Sequence, residues 1–174
     1  EARFFHDHVL VKEPGSSIVT PWHQDQPYYC TSGNQTISFW IPLDTISLNN
    51  TLSCISGSHN WGKLHKPKRF DGTDLFENDN SEEVPDIDGN LDKYKILSWP
   101  VEPGDAIGFN FKTLHGAQAN TGSKSRRRVF SARWVGDDAI FVDRKGKGSP
   151  PFDHLTLKDG DKLEGDDFPL VYCK

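Results

Sequence analysis

The sequence predicts an all-β-dominated domain of sandwich or barrel type, and three observations predict it. Short runs rich in β-branched and aromatic residues recur along the chain, each closed by a Gly- or Pro-bearing turn. Fifteen Gly and eleven Pro in 174 residues supply those turns. No stretch carries the 3.6-residue apolar period of an amphipathic helix of normal length, and no internal repeat is present.

Taken in order, residues 4–12 (FFHDHVLVK) are strong β formers that stop at Glu13-Pro14-Gly15-Ser16-Ser17, a strand and its turn. Thr20-Pro21-Trp22-His23-Gln24-Asp25 follows, interrupted by Pro27 before Tyr28 and Tyr29. Residues 36–43 are mostly apolar, as for a strand in a buried sheet. A short strand over 51–55 ends at Ser56-Gly57-Ser58-His59. From 62 to about 92 the chain becomes rich in Lys, Asp, Glu, Asn, Gly and Pro. A polar insertion of that length is either a functional lid or a solvent-facing excursion. Order resumes over 94–101, and Pro103-Gly104-Asp105 turns the chain into 106–111, with 113–117 following. Asn120-Thr121-Gly122-Ser123 is a turn before a strong strand over 127–135. We expect one domain over 1–174, with a core of about 4–135, the insertion at about 62–92 and a tail over 136–174 that has little periodicity. The chain opens on a strand without Met, so an N-terminal portion is expected to precede Glu1.

Five Trp and eleven Phe provide the large apolar groups of a core, which a disordered chain would lack. A net charge of −5 argues against nucleic acid or an anionic membrane as partner and leaves a small molecule. Nothing in the sequence sets an oligomeric state. The Arg126-Arg127-Arg128 cluster, with Arg133, stands against that acidic background, its bland reading being a solvated strand end. Cys30, Cys54 and Cys173 are odd in number and widely spaced, without a CxxC pair, so a reducing cytoplasm is the simpler setting. No apolar run approaches the ~18 residues of a membrane span, and no signal-peptide pattern opens the chain.

In an extended strand, residues two apart face the same way, so His23-x-Asp25 offers an imidazole and a carboxylate side by side. A distant second His would complete a two-His, one-carboxylate face, which leaves positions open on a metal. His115, at the end of a strand that follows a Gly-Asp turn, is the best candidate. His6-Asp7-His8 competes, with an exposed edge-strand pair as its plainer reading. His59 suits a turn, and His65 and His154 suit polar surface loops.

Four ordered blocks between about residues 10 and 134 resemble the phytanoyl-CoA dioxygenase family. Trp22-His23-Gln24-Asp25-Gln26-Pro27-Tyr28-Tyr29 resembles its iron motif. Trp40-Ile41-Pro42-Leu43-Asp44 is similar to its next strand, followed by Asn50-Thr51-Leu52 and Gly57-Ser58-His59. Pro103-Gly104-Asp105 through His115-Gly116-Ala117 and Asn120, then Arg126-Arg127-Arg128, resembles the distal His and the oxo-acid strand. Two loop positions depart from the pattern: Asn49-Asn50 stands for the usual Asn-Gly, and Ser56 for the usual Pro.

The resemblance implies a double-stranded β-helix (jelly-roll, cupin-like) core, with Fe(II) at its open end on His23, Asp25 and His115. It implies 2-oxoglutarate as cosubstrate, O2 as oxidant, and hydroxylation of a small organic substrate with release of succinate and CO2. Related halogenases lack the carboxylate and place chloride on iron, so Asp25 favours hydroxylation. The arginine that grips the oxo acid follows the distal His by eleven or twelve residues, which gives Arg126 or Arg127. Strand parity with Val129 and Ser131 favours Arg127 and turns Arg128 outward. Gln24 and Trp40 are implied cosubstrate contacts, with core packing the alternative for Trp40, and Lys12 is a weaker candidate. Thr113 and Asn120 would support the distal His loop. Tyr28, Tyr29 and Trp61 could line a substrate pocket under the insertion. The rival readings are a cupin-type metalloenzyme that does not use 2-oxoglutarate and a non-catalytic jelly-roll binding module.

Overall fold

The computed structural model describes residues 1–69, 71–77, 79–121, 124–144 and 148–173. Among them run β1 (Ala2–Lys12), β2 (Thr20–His23), β3 (Thr31–Ser32), β4 (Thr36–Pro42), β5 (Leu52–Ile55) and β6 (Ile96–Ser98). They continue as β7 (Ile107–Phe109), β8 (His115–Ala117), β9 (Arg127–Val135), β10 (Ile140–Phe141) and β11 (Leu170–Tyr172). Helical structure among the described residues is confined to short 3-10 turns, and no helix is long and apolar enough to cross a membrane. Of the turn expected at 120–123, Gly122 and Ser123 lie outside the described residues, as do Phe70 and Asn78 of the insertion.

The strands curl into two antiparallel sheets of jelly-roll type, in the orders β11-β1-β9-β4-β7 and β2-β8-β5-β6, with β10-β3 as a small third pair. Strands far apart in sequence pair, β1 with β9 and β2 with β8. Trp40, Ile107, Phe109 and Val129 of the first sheet pack against Leu52, Cys54 and Ala117 of the second. Period-2 alternation accounts for this layer: in β4 residues 36, 38, 40 and 42 are buried while 37, 39 and 41 are not.

A second cluster extends the core past the boundary expected at residue 135. Phe5, Tyr29, Phe111 and Val135 pack with Ala139, Phe141, Leu163 and Phe168 of the tail. Phe168 is fully buried and stacks on Phe5 with ring centroids 5.6 Å apart. Each such ring contributes roughly 1.5–3 kcal/mol through burial, so the tail is part of the packed unit. Tyr29, expected at a substrate pocket, belongs to this core at 3% exposure.

Two histidine expectations also change. The His6-Asp7-His8 segment pairs with β9, β11 meeting β1 only at Ala2 and Arg3, and His6 is buried where an exposed pair was expected. His65, expected on the surface, is buried within the insertion. The insertion itself is held down: Phe76 and Ile87 are buried, and Ile87 packs with Ile55 and Leu114 under Trp22.

Candidate metal centre

His23 ends β2 and pairs directly with His115 at the start of β8, which sets the two rings 4.2 Å apart. β2 can approach β8 this closely because residue 116 is Gly: a Cβ there would meet the Thr20 carbonyl oxygen at 3.0 Å and the Trp22 ring at 3.4 Å. Asp25 joins them by a turn rather than by strand alternation. Its backbone is αR (φ −72, ψ −43) at the head of the 3-10 turn Gln26–Tyr28. The amides of Asp25 and Gln26 both donate to the Phe111 carbonyl, at 2.8 and 3.0 Å, and clamp the turn to the loop before β8.

The distal loop has its own brace. Gly57, at φ 77, adopts a left-handed conformation that glycine takes without steric cost. It places Ser58, whose Oγ donates to the Ile55 carbonyl (2.8 Å) and accepts from the Leu114 amide (2.9 Å). The Gly-Ser-His turn thus fixes the residue before His115, despite Ser56 and Asn49-Asn50. Asn120 is buried and ties the end of β1 to the loop before β9, donating to the carbonyls of Lys12, Glu13 and Ser125.

Both imidazoles are oriented for ligation. His23 Nδ1 lies 2.8 Å from the Pro21 carbonyl and His115 Nδ1 lies 2.9 Å from the Thr113 carbonyl. A carbonyl only accepts, so each Nδ1 carries the proton and each Nε2 presents a lone pair. Those Nε2 atoms point at one oxygen, Asp25 Oδ1, at 3.8 and 3.7 Å. One ligand atom from each residue lies within 4.8 Å of the others, a set that could hold a metal ion. Burial, then the nearby His23, lowers the His115 pKa to about 3, which keeps the ring neutral and able to ligate. Burial by itself would raise Asp25, but Arg133, His115, His23 and the Ser38 hydroxyl outweigh it and hold the carboxyl below its usual range. His115 and Asp25 are buried while His23 is part-exposed, so the open side of the centre lies at His23.

The remaining expected residues separate. Arg127 is buried on the inner face of β9 with its guanidinium 6.0 Å from the Trp40 ring, and it donates to the Asn50 carbonyl. Arg126 is exposed and pairs with Glu13 at 2.9 Å; Arg128 is exposed and pairs with Asp44. Lys12, opposite Arg127 in the β1–β9 register, is also buried and donates to the carbonyls of Ala117 and Gln118. Among the described residues neither cation has a carboxylate within ion-pair distance. Burial, then Arg127, lowers Lys12 to about 8. Thr51 Oγ1 is buried without a partner among the described residues, next in sequence to the Asn50 carbonyl that accepts from Arg127. A depression of about 510 Å³ opens at this end, lined by Asn50, Asn120 and Arg127 among others and by none of the three metal-ligand candidates.

Trp40 is buried in the inner core beneath Arg127. The Gln24 amide faces elsewhere: it donates to the carbonyls of Lys63 (3.1 Å) and Lys112 (2.8 Å) and accepts from the His65 amide (2.9 Å). Its amide is therefore fully engaged, tying the insertion at Lys63 and His65 to the loop before β8 at Lys112. Tyr28 adds a second pin, donating to the Lys68 carbonyl and accepting from the Lys68 amide. Trp61 is part-exposed against Tyr94.

Residues 1–128 match the phytanoyl-CoA dioxygenase (PhyH) family model. The chain belongs to the phytanoyl-CoA dioxygenase family. Solved structures agree with this phytanoyl-CoA dioxygenase fold. The non-heme alpha-ketoglutarate-dependent carbocyclase SnoK from nogalamycin biosynthesis is 26% identical with a TM-score of 0.71, over 98% of this chain and 62% of that one. The epimerase SnoN, solved with Fe3+, alpha-ketoglutarate and nogalamycin RO, is 23% identical with a TM-score of 0.68, over 97% and 64%. EvdO2 from Micromonospora carbonacea var. aurantiaca, complexed with 2-oxoglutarate, is 24% identical with a TM-score of 0.61, over 82% and 54%. The chain thus spans less than two thirds of the length of these neighbours. Among curated proteins none matches the sequence significantly.

Proposed function

We propose that this protein is a non-haem Fe(II)- and 2-oxoglutarate-dependent dioxygenase that hydroxylates a small organic substrate, releasing succinate and CO2. One observation carries the reading. Two imidazoles on β2 and β8 converge with a carboxylate, and on the facing sheet two buried cations, Lys12 of β1 and Arg127 of β9, have no carboxylate within ion-pair distance among the described residues. The donor set suits iron, since a two-His, one-carboxylate face leaves positions open for a bidentate oxo acid and O2. The cation pair suits the far carboxylate of the same acid, because a guanidinium offers two parallel N–H donors to it.

Fe(II), when bound, supplies the oxidative decarboxylation of the oxo acid and the transfer of oxygen to substrate. The residues of the chain supply placement. His23 and His115 present Nε2 because their Nδ1 protons are held by backbone carbonyls. Arg127, over Trp40, fixes the oxo acid end-on, with Lys12 adding charge. The packed aromatic layer around Phe109 and Trp40 keeps water from the interior. Substrate approaches on the His23 side, where the centre is part-exposed. Asp25 occupies the position that halogenation leaves for chloride, which supports hydroxylation. A cupin-type enzyme without an oxo acid, or a non-catalytic module, leaves the buried Lys12–Arg127 pair unexplained.

The test is succinate formation from 2-oxoglutarate with added Fe(II) under air, followed by a screen of small substrates that raise the rate. Succinate should appear only when metal, oxo acid and O2 are all present, and a chelator should abolish it. Wild-type protein that neither binds 2-oxoglutarate nor consumes it would end this reading.

A further inference from the structure

We infer that Arg133 is a positioning residue that, together with Ser38, holds Asp25 to one-oxygen ligation of the metal. The inference rests on the function proposed above, and deepens it. Arg133 lies on the inner face of β9, in direct register with Ser38 of β4. Cross-strand partners bring their side chains within about 5 Å of each other, so the two form a cleft on one sheet. Asp25 reaches into that cleft from the turn after β2. The Ser38 hydroxyl donates to Asp25 Oδ2 at 2.6 Å, and Arg133 Nε donates to the same oxygen at 3.4 Å.

The two carboxylate oxygens therefore face different partners. Oδ2 is turned to Ser38 and Arg133; Oδ1 is turned to the Nε2 atoms of His23 and His115. Arg133 is itself fixed. It is 7% exposed, its guanidinium sits 5.5 Å from the Tyr29 ring, and Nη1 lies 3.4 Å from the Ser131 carbonyl and 3.5 Å from His8 Nδ1. Among the described residues Asp25 is the only carboxylate within ion-pair distance of it. A buried guanidinium with one anion, braced on its other sides, has little freedom to release that oxygen.

Coordination number makes the arrangement matter. On a six-coordinate metal, two His and a one-oxygen carboxylate leave three positions, enough for a chelating oxo acid and one further ligand. A carboxylate free to swing and chelate through both oxygens would leave two. Arg133 and Ser38 keep that third position open by holding Oδ2 away.

The test compares wild type, Arg133→Met, Arg133→Lys and Ser38→Ala, using Co(II) as a spectroscopic probe in the absence of Fe(II). Visible absorption reports the coordination of Co(II), and titration at saturating Co(II) reports 2-oxoglutarate affinity. Arg133→Met is expected to change the Co(II) spectrum and to weaken 2-oxoglutarate binding by more than about tenfold. Ser38→Ala is expected to shift both in the same direction by less, and Arg133→Lys to recover most of the wild-type behaviour. A merely structural role predicts lower melting temperatures with spectrum and affinity unchanged once metal is saturating, and that result overturns the inference. Should Arg133→Met not fold, Ser38→Ala decides alone, and a wild-type spectrum there overturns it equally. Wild type that binds no Co(II) would instead remove the proposed function itself, so the two failures are distinct.

Discussion

Arg127→Ala tests the proposed cosubstrate anchor. Arg127 is 6% exposed, and among the described residues its polar contact is the Asn50 carbonyl, above the Trp40 ring. A bound oxo acid would supply the anion that the protein does not. Losing one partner of a buried ion pair costs about 3–5 kcal/mol. Lys12 stays beside the site, so the lower end applies, and about 3 kcal/mol corresponds to roughly a 100-fold weaker Kd for 2-oxoglutarate. Stabilisation by the ligand turns this into a readable quantity. At a ligand concentration 100 times the wild-type Kd, wild type gains about 2.7 kcal/mol, and a variant binding 100-fold more weakly gains only about 0.4 kcal/mol. Chemical denaturation with and without 2-oxoglutarate, at saturating Co(II), measures the difference. The metal-loaded variant without oxo acid should be no less stable than expected for a lost ring contact, since an unmatched buried cation is removed with it. Arg126→Ala is the control: an exposed pair with Glu13 should change 2-oxoglutarate affinity by no more than about fivefold. If Arg126→Ala loses the ligand response and Arg127→Ala keeps it, the parity argument that separates the two arginines is wrong.

Three further outcomes follow from the packing. His6 is buried with neither ring nitrogen hydrogen-bonded among the described residues, and burial, then Arg133, lowers its pKa to about 3. The unfolded imidazole binds a proton near pH 6.5 and the folded one does not, so this contribution is full above about pH 6.5 and is lost as pH falls toward 3. His6→Phe should flatten the loss of stability between pH 7.5 and 5, measured by urea midpoints; equal slopes in the two proteins would remove His6 as the cause. Phe168→Ala should cost about 3–5 kcal/mol in the same assay, because the tail completes the cluster around Phe5; a loss below about 1 kcal/mol would make the tail an appendage. Gly116→Ala should push β2 from β8, cost about 1–3 kcal/mol, and weaken Co(II) binding; unchanged metal affinity would mean that the close approach of these strands does not set the His23–His115 distance.

How much of this was legible in the sequence differs residue by residue. His23, Asp25 and His115 are legible as a donor set, but strand alternation does not account for the first two, since an αR turn brings Asp25 round. The motif around Gly57 and Ser58 was legible as a turn, while its task of bracing Leu114 depends on a partner 56 residues away. The tail was illegible for a related reason. Leu163 stands alone among polar residues, Phe141 and Phe168 belong to runs too short to show a period, and a contact such as Phe5–Phe168 leaves no local signal. Gln24 carried an expectation of cosubstrate contact because it lies between two ligands in sequence. The direction of its side chain is set instead by the carbonyls of Lys63 and Lys112, which only the folded chain brings near.

Arg133 reads in the sequence as part of a basic, solvated strand end, and the structure buries it. The parity that selects Arg127 runs on through Val129 and Ser131 to Arg133, and a second charge on a core-facing parity needs a buried partner. Asp25 is that partner. β9 therefore holds both ends of the proposed site, one arginine for the carboxylate that binds metal and one for the carboxylate of the oxo acid. Six residues of strand separate them, about 20 Å along the backbone, and both side chains must reach inward from the same face. A one-residue deletion between 127 and 133 reverses the facing of everything on one side of it. Either arginine could then stay inside, but not both, so the spacing of these two cations constrains β9 as tightly as its apolar residues do.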